Sequence, residues 1–137
     1  MADNDKVNIY LALAFTILFA TCWIYYFIHS AIIINDLKEK SPISKIEMQV
    51  TSSCGTKNVV ITDRILLDSI NVALSRAKKI DVQAGGNFYI SANLDIYKRK
   101  KINVLIKHSP YKGWEIYAGG NILGSEYIFH WIKSYCQ

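Results

Sequence analysis

The sequence has little of the material from which catalytic and metal sites are built. Among 137 residues it contains three cysteines and three histidines, and their spacing matches no zinc-binding pattern. No glycine-rich run has the spacing of a P-loop or of a dinucleotide-binding loop, and no pair of carboxylates points to acid–base catalysis. The sequence therefore predicts no catalytic residue, no metal ion, no cofactor and no enzymatic activity.

Charged side chains are missing from one long stretch near the amino terminus. Residues 9–34 read IYLALAFTILFATCWIYYFIHSAIII, without Asp, Glu, Lys or Arg. As a helix this stretch would be about 39 Å long, against a hydrocarbon thickness of about 30 Å, so it can cross a membrane once but not twice. The leader before it is mostly acidic and no A-x-A-like cleavage site follows, which favours a single-pass anchor in the cell membrane over a signal peptide.

Aromatic residues are concentrated in the second half of this apolar run. Trp23, Tyr25, Tyr26 and Phe27 are predicted to anchor the helix, either as an interfacial belt or by packing against a membrane partner. The alanines of the run, Ala12, Ala14, Ala20 and Ala31, form no small-xxx-small array, which weakens the case for a specific helix dimer. A homo-oligomer of another kind stays open.

The charges that flank the run bear on membrane orientation. Lys6 precedes it, whereas Lys38, Lys40 and Lys45 follow it, and the positive-inside rule therefore favours a cytoplasmic domain. An eight-residue amino tail is also typical of a signal anchor that exports the domain behind it.

Beyond the run, the pattern predicts an α+β fold. We divide the chain into a polar tail (1–8), a transmembrane helix (9–34), a linker that contains Pro42 (35–44) and a soluble domain (45–137). Apolar residues alternate with polar ones in several short stretches, as in strands of an antiparallel sheet, and two amphipathic stretches predict helices that cover one face of it. The predicted order after the transmembrane helix is β-β-α-β-β-β-β-α, with strands from residue 45 and at 59–61, 88–96, 102–106, 114–118 and 122–123, and helices at 63–79 and 125–135.

The letters AGGN occur twice, at residues 84–87 and 118–121. A phosphate-binding loop opens directly into a helix, but both stretches run into strand-like sequence. We interpret both as turns, in which glycine supplies the positive φ that a tight hairpin needs.

Four basic residues lie at the tip of the predicted central hairpin. Lys98, Arg99, Lys100 and Lys101 are candidates for contact with an anionic membrane surface or ligand, although such charges also protect a hairpin end against edge association. Base-stacking aromatics beside them are limited to Tyr97 and no nucleic-acid motif is present, so nucleic acid is not expected as a partner.

Two of the cysteines lie outside the apolar run. Cys54 and Cys136 are candidates for a disulfide if the domain is exported. A thiol-dependent enzyme built on Cys54, with His108 or His130 as base, is a weaker alternative, because no catalytic signature surrounds this cysteine.

The charge balance completes the prediction of function. After residue 34, fifteen Lys and Arg stand against nine Asp and Glu, a net charge of +6, compared with +5 for the whole chain. We expect a non-enzymatic binding or assembly module, held by the lipid bilayer, whose domain contacts a protein partner, as in an envelope-complex subunit or an immunity or defence protein. The alternative is a membrane-anchored sensor that binds an anionic small molecule or a lipid head group.

Overall fold

The long apolar segment forms one continuous helix, α1 (Ala2–Lys38). The computed structural model describes residues 2–81, 89–109 and 113–136, with side chains from Asn4 onward. By length and composition α1 can cross a membrane once, since its most apolar window has a mean hydropathy of 2.0. The helix is longer than the predicted residues 9–34. It includes residues 2–8 of the predicted tail and the first four residues of the predicted linker.

The rest of the chain confirms the predicted α+β class. The strands are β1 (Lys45–Ser52), β2 (Gly55–Ile61), β3 (Lys78–Lys79), β4 (Ile90–Tyr97), β5 (Lys101–Ser109), β6 (Gly113–Ala118) and β7 (Asn121–Gly124). They form one antiparallel sheet with the order β2-β1-β4-β5-β6-β7-β3. Strand β1 pairs with its neighbour in sequence, β2, and also with β4, which lies far along the chain.

The short edge strand β3 was not predicted from the sequence. The helical periodicity of the sequence predicts that the preceding helix continues to Lys79. In the structure this helix, α2 (Arg64–Arg76), ends earlier, and Ala77 has an extended backbone with a ψ of 134°. Lys78 and Lys79 then pair with β7, and the Ile80 amide donates to the Ile122 carbonyl over 3.0 Å. Lys78 and Lys79 therefore pair with the edge of the sheet instead of forming a last turn of α2.

Two helices cover the sheet as predicted, and both begin where the sequence places a cap. The Asp63 carboxylate accepts a hydrogen bond from the Leu66 amide over 2.8 Å at the start of α2. Ser125 precedes α3 (Glu126–Lys133), but its side chain makes no capping bond. A short 3-10 helix, Ser134–Cys136, follows α3.

The core lies between one face of the sheet and three helical segments, of which the end of α1 is the third. Alternate residues of the central strands face this core, as the pattern predicted. Leu37 of α1 and Ile43, which follows it, are both fully buried in the same cluster. The segment predicted as a linker is therefore part of the domain's core.

The second AGGN forms the predicted hairpin turn. Ala118 pairs with Asn121, and Gly119 and Gly120 between them have φ values of +55° and +79°. The first AGGN, at residues 84–87, lies outside the described residues.

The two helix caps provide a matched test of this reading. Asp63→Ala removes a side-chain bond to an otherwise unpaired amide, so we expect the free energy of unfolding to fall by about 1 kcal/mol. Ser125→Ala removes no such bond and should leave it nearly unchanged. Chemical unfolding in detergent, followed by circular dichroism, compares the two variants, and equal losses would contradict the assignment.

Candidate functional site

The helix–domain junction, where α1 meets the β6–β7 turn, is a close contact between backbone and side chains. A Cβ added to Gly119 would lie 2.8 Å from the Cβ of Ile33, and one added to Gly120 would overlap the Tyr26 hydroxyl. Glycine is therefore favoured at both positions for two reasons: the turn requires a positive φ, and a side chain there would meet α1.

A buried polar pair lies beside this turn. The side-chain amide of Asn121 donates to the Ser30 hydroxyl over 2.6 Å. Ser30 is only 8% exposed although it interrupts the apolar helix. Because a buried hydroxyl without a partner is costly, this bond favours one rotation of α1 against the domain.

A second contact joins the end of α1 to the β4–β5 turn. The Lys98 ammonium donates to the carbonyl oxygens of Leu37 and Glu39 over 2.8 and 2.6 Å. Carbonyls at a helix end lack partners within the helix and carry partial negative charge, which a lysine neutralises. Burial lowers the pKa of Lys98, while the charges of Glu39 and Asp36 oppose this shift.

The other members of the predicted basic cluster also have partners in the chain. Arg99 lies 3.2 Å from Glu39, and Lys100 lies 3.9 Å from Asp36. Lys101 pairs with Asp95 of β4 over 2.7 Å. Three of the four basic residues therefore contact the end of α1. Their contact with an anionic surface stays a prediction, supported by the 79% and 72% exposure of the Arg99 and Lys100 side chains.

A groove between α2 and α3, the α2–α3 groove, has a volume of about 800 Å³. Val72 and Tyr127 line it and are 48% and 45% exposed. Ile65 lies two turns before Val72 on the same side of α2 and is also exposed. Charged residues of both signs, Asp68 and Arg76 among them, surround the apolar part.

The sheet face opposite the helices carries a hydrogen-bonded network of charged side chains. Glu47 accepts from the Lys45 ammonium over 2.7 Å and from the Tyr97 hydroxyl over 2.8 Å. These two bonds lower the pKa of Glu47, and the bond from Lys101 lowers that of Asp95. The charges of this face are therefore largely matched within the chain, which leaves little uncompensated attraction for an ionic ligand.

Farther along this face, a carboxylate is buried beside a phenol. Glu115 is only 3% exposed and accepts a hydrogen bond from the Tyr117 hydroxyl. Burial, and then the bond to Glu115, raise the pKa of Tyr117 to about 12. The Lys107 ammonium lies 5.3 Å from the centre of the Tyr117 ring. Tyr117 is therefore neutral at physiological pH and acts as a donor to Glu115.

The two cysteines outside α1 lie close enough for Cys54 to affect the pKa of Cys136. Cys54, in the exposed β1–β2 turn, and Cys136, in the 3-10 helix, are both free thiols. Burial raises the pKa of Cys136, and nearby Cys54 adds to this shift while Lys57 opposes it. Their disulfide in an exported domain stays a prediction.

The four predicted anchor residues lie on more than one side of α1. Trp23, Tyr25 and Phe27 are exposed, and Trp23 and Phe27 contact each other at a ring separation of 5.5 Å. Tyr26 differs from them, because its hydroxyl meets the backbone at Gly120. One of the four thus belongs to the helix–domain junction as well as to the apolar surface.

The junction and the groove were both missed by sequence reasoning. Ser30 and Asn121 gave the available signals, as a polar interruption in an apolar helix and an amide after a paired-glycine turn, but nothing in the sequence joins them. Among the residues the structure describes, no three His, Cys, Asp or Glu side chains are grouped to hold a metal.

Substitution of Gly119 tests the close approach of α1. We expect Gly119→Ala to lower the free energy of unfolding by about 2–4 kcal/mol, from the left-handed backbone and the contact with the Ile33 Cβ together. Gly113→Ala is the control, because Gly113 has a similar φ of +71° and no described atom lies within 4 Å of its added Cβ. It should lose about 1–2 kcal/mol. Thermal unfolding in detergent distinguishes these results, and equal losses would show that the turn does not press on α1.

Substitution of Lys98 tests the contact at the end of α1. Lys98→Met leaves the Leu37 and Glu39 carbonyls without their donor, and we expect a loss of about 1.5–3 kcal/mol in unfolding free energy. Lys100→Met removes the same charge from a more exposed pair and should cost at most about 1 kcal/mol. Hydrogen exchange of the last turn of α1 gives a local readout. Unchanged protection in Lys98→Met would contradict the capping role.

The helix–domain junction and the α2–α3 groove are the two features from which a function is inferred. Comparison of the chain with protein-family models, with curated protein sequences and with solved structures finds no match.

Proposed function

We propose that this chain is a non-enzymatic binding module, anchored in a membrane by α1, whose α2–α3 groove contacts a protein partner. The observation that carries the proposal is the groove itself. It exposes Val72 and Tyr127 on two helices, α2 and α3, whose other apolar side chains, apart from exposed Ile65, are largely buried. Exposed apolar groups that share one groove are characteristic of interaction sites.

Retention of α1 in the mature protein is supported by its packing. Leu37 is fully buried and Ser30 is hydrogen-bonded to Asn121. Cleavage of α1 as a signal peptide would remove these residues from the core, or would expose the apolar surface against which they pack. Both outcomes would destabilise the domain. A permanent single-pass anchor avoids this cost.

The composition of the groove fits a protein segment as its occupant. Its lining combines apolar Val72, Ala73 and Tyr127 with the charged residues Asp68 and Arg76. A buried apolar centre with a polar rim is the usual organisation of a protein interface. Two helices that flank a groove also suit an amphipathic helix laid between them. We therefore propose a partner helix with apolar residues on one side and charges of both signs beside them.

The proposed class of protein is a subunit of an envelope complex, or an immunity or defence protein. Either would use a domain held at fixed height above the bilayer. The lysines after the apolar run favour a cytoplasmic position for this domain. The sensor alternative draws less support from the basic tip (Lys98, Arg99, Lys100 and Lys101), since these side chains already have partners in the chain.

Site-specific photo-crosslinking in native membranes tests the groove. A photoreactive residue at Val72 should yield a discrete adduct with one other protein, and the same residue at Asn93, on the opposite sheet face, should not. Tyr127→Asp should reduce the Val72 adduct at least tenfold, because a charge among the apolar residues of the groove has to be desolvated.

Other outcomes of the crosslinking identify a different partner or contradict the proposal. Purified chain that forms the same adduct alone would show that the partner is a second copy. Identical adducts from Val72 and Asn93, or none from Val72, would contradict the groove as the site. Resistance of the intact chain, α1 included, to alkaline carbonate extraction tests the anchor separately.

A further inference from the structure

A separate cavity of about 350 Å³ opens at the helix–domain junction. On one side it is lined by α1, including Tyr26, Phe27, Ser30 and Asn35. On the other side are Lys79 of the edge strand β3 and Asn121 of the β6–β7 turn. This junction cleft is distinct from the α2–α3 groove, with which it shares no lining residue.

The position of the junction cleft along α1 sets its depth relative to a bilayer. Lys6 is the last charged residue before the apolar run. About twenty helical residues cross the hydrocarbon, so a span that begins just after Lys6 ends near Tyr26. The β6–β7 turn already meets α1 at Tyr26 and Ile33, so a position that buried the whole run would draw this turn into the hydrocarbon. With the boundary near Tyr26, the cleft between Tyr26 and Asn35 begins at the level of the lipid head groups.

The polar part of the junction cleft consists of groups able to donate hydrogen bonds. Lys79 supplies an exposed ammonium and Asn35 supplies a side-chain amide, whereas the amide of Asn121 is already bonded to Ser30. Its described lining contains no Asp or Glu, whereas the groove includes Asp68 and Glu126. A phosphate only accepts hydrogen bonds at its unesterified oxygens, so its chemistry matches these donors.

The α1 side of the junction cleft also carries apolar residues. Phe27, Ala31 and Ile34 line it, and exposed Ile28 follows Phe27 in the helix. A second basic cavity, lined by Lys38, Lys40 and Arg76, lacks any aromatic residue in its described lining. The junction cleft therefore combines a cation, an amide donor and apolar residues, which is the combination that a phospholipid requires.

We propose that the junction cleft binds the phosphodiester head group of an anionic phospholipid. The phosphate is held by the Lys79 ammonium and the Asn35 side-chain amide, while the Asn121 amide stays bonded to Ser30. The acyl chains run down α1 along Phe27. This proposal rests on the proposed membrane anchor, but not on the protein partner of the groove. The bound lipid fills the space between α1 and the sheet edge, and so joins β3 to the helix.

Native mass spectrometry of the full chain tests the proposal. The chain is reconstituted in nanodiscs of phosphatidylcholine with a minority of phosphatidylglycerol, and lipids retained after release are counted. We expect wild type to retain one phosphatidylglycerol in preference to phosphatidylcholine. Lys79→Gln should lower the phosphatidylglycerol-bound fraction about tenfold, as expected when a charged hydrogen bond is lost.

Lys40→Gln is the matched control, because it removes the same charge close to the end of α1 but outside the junction cleft. It should retain phosphatidylglycerol as wild type does. An equal loss in both variants would overturn the proposal in favour of general charge attraction, and equal retention of the two lipids by wild type would overturn it outright. Displacement of the lipid by inorganic phosphate would show a site for free anions instead.

The anchor is assessed independently by carbonate extraction. Release of the chain by carbonate would refute the anchor and the lipid site together. A chain that stays in the membrane without preference for phosphatidylglycerol would overturn the lipid site alone.

Discussion

The burial of the last turns of α1 in the domain is the contact on which the rest of the structure depends. Leu37 completes the core, Ser30 is bonded to Asn121, and the Lys98 ammonium closes the carbonyl end of the helix. An apolar contact, a neutral hydrogen bond and a charged one act on the same segment. Their combination favours a fixed position of the domain against α1, and both proposed surfaces derive their placement from it.

The charges of the basic tip and of the open sheet face are largely paired within the chain. The basic tip is directed to the end of α1, and the open sheet face pairs Lys45 with Glu47 and Lys101 with Asp95. Exposed pairs of this kind contribute little stability individually. Their effect is to match charges locally, so that attraction to outside ligands is left to places such as Lys79, where the described lining of the cleft holds no carboxylate.

Local sequence patterns were sufficient to predict the helices, strands and turns, but not the contacts between them. The two-residue alternation around Ile46 and Leu94, the Asp63 cap and the paired glycines of the second AGGN are local signals, and each predicted its element. The boundary at Ala77 was missed because β7, far along the chain, decides it by pairing with Lys78. The roles of Lys98 and Tyr26 were missed for the same reason, since their partners are 59 or more residues away.

The packing of α3 and of the 3-10 helix against the sheet has a consequence for biosynthesis. Ile128 and Ile132 of α3 are core residues, and the Lys57 ammonium of β2 bonds to the Tyr135 carbonyl over 3.3 Å. Because α1 precedes α3 in the chain, the core on which α1 packs is complete only after α3 has been synthesised. The nascent β1–β2 hairpin therefore stays incompletely packed until α3 is available.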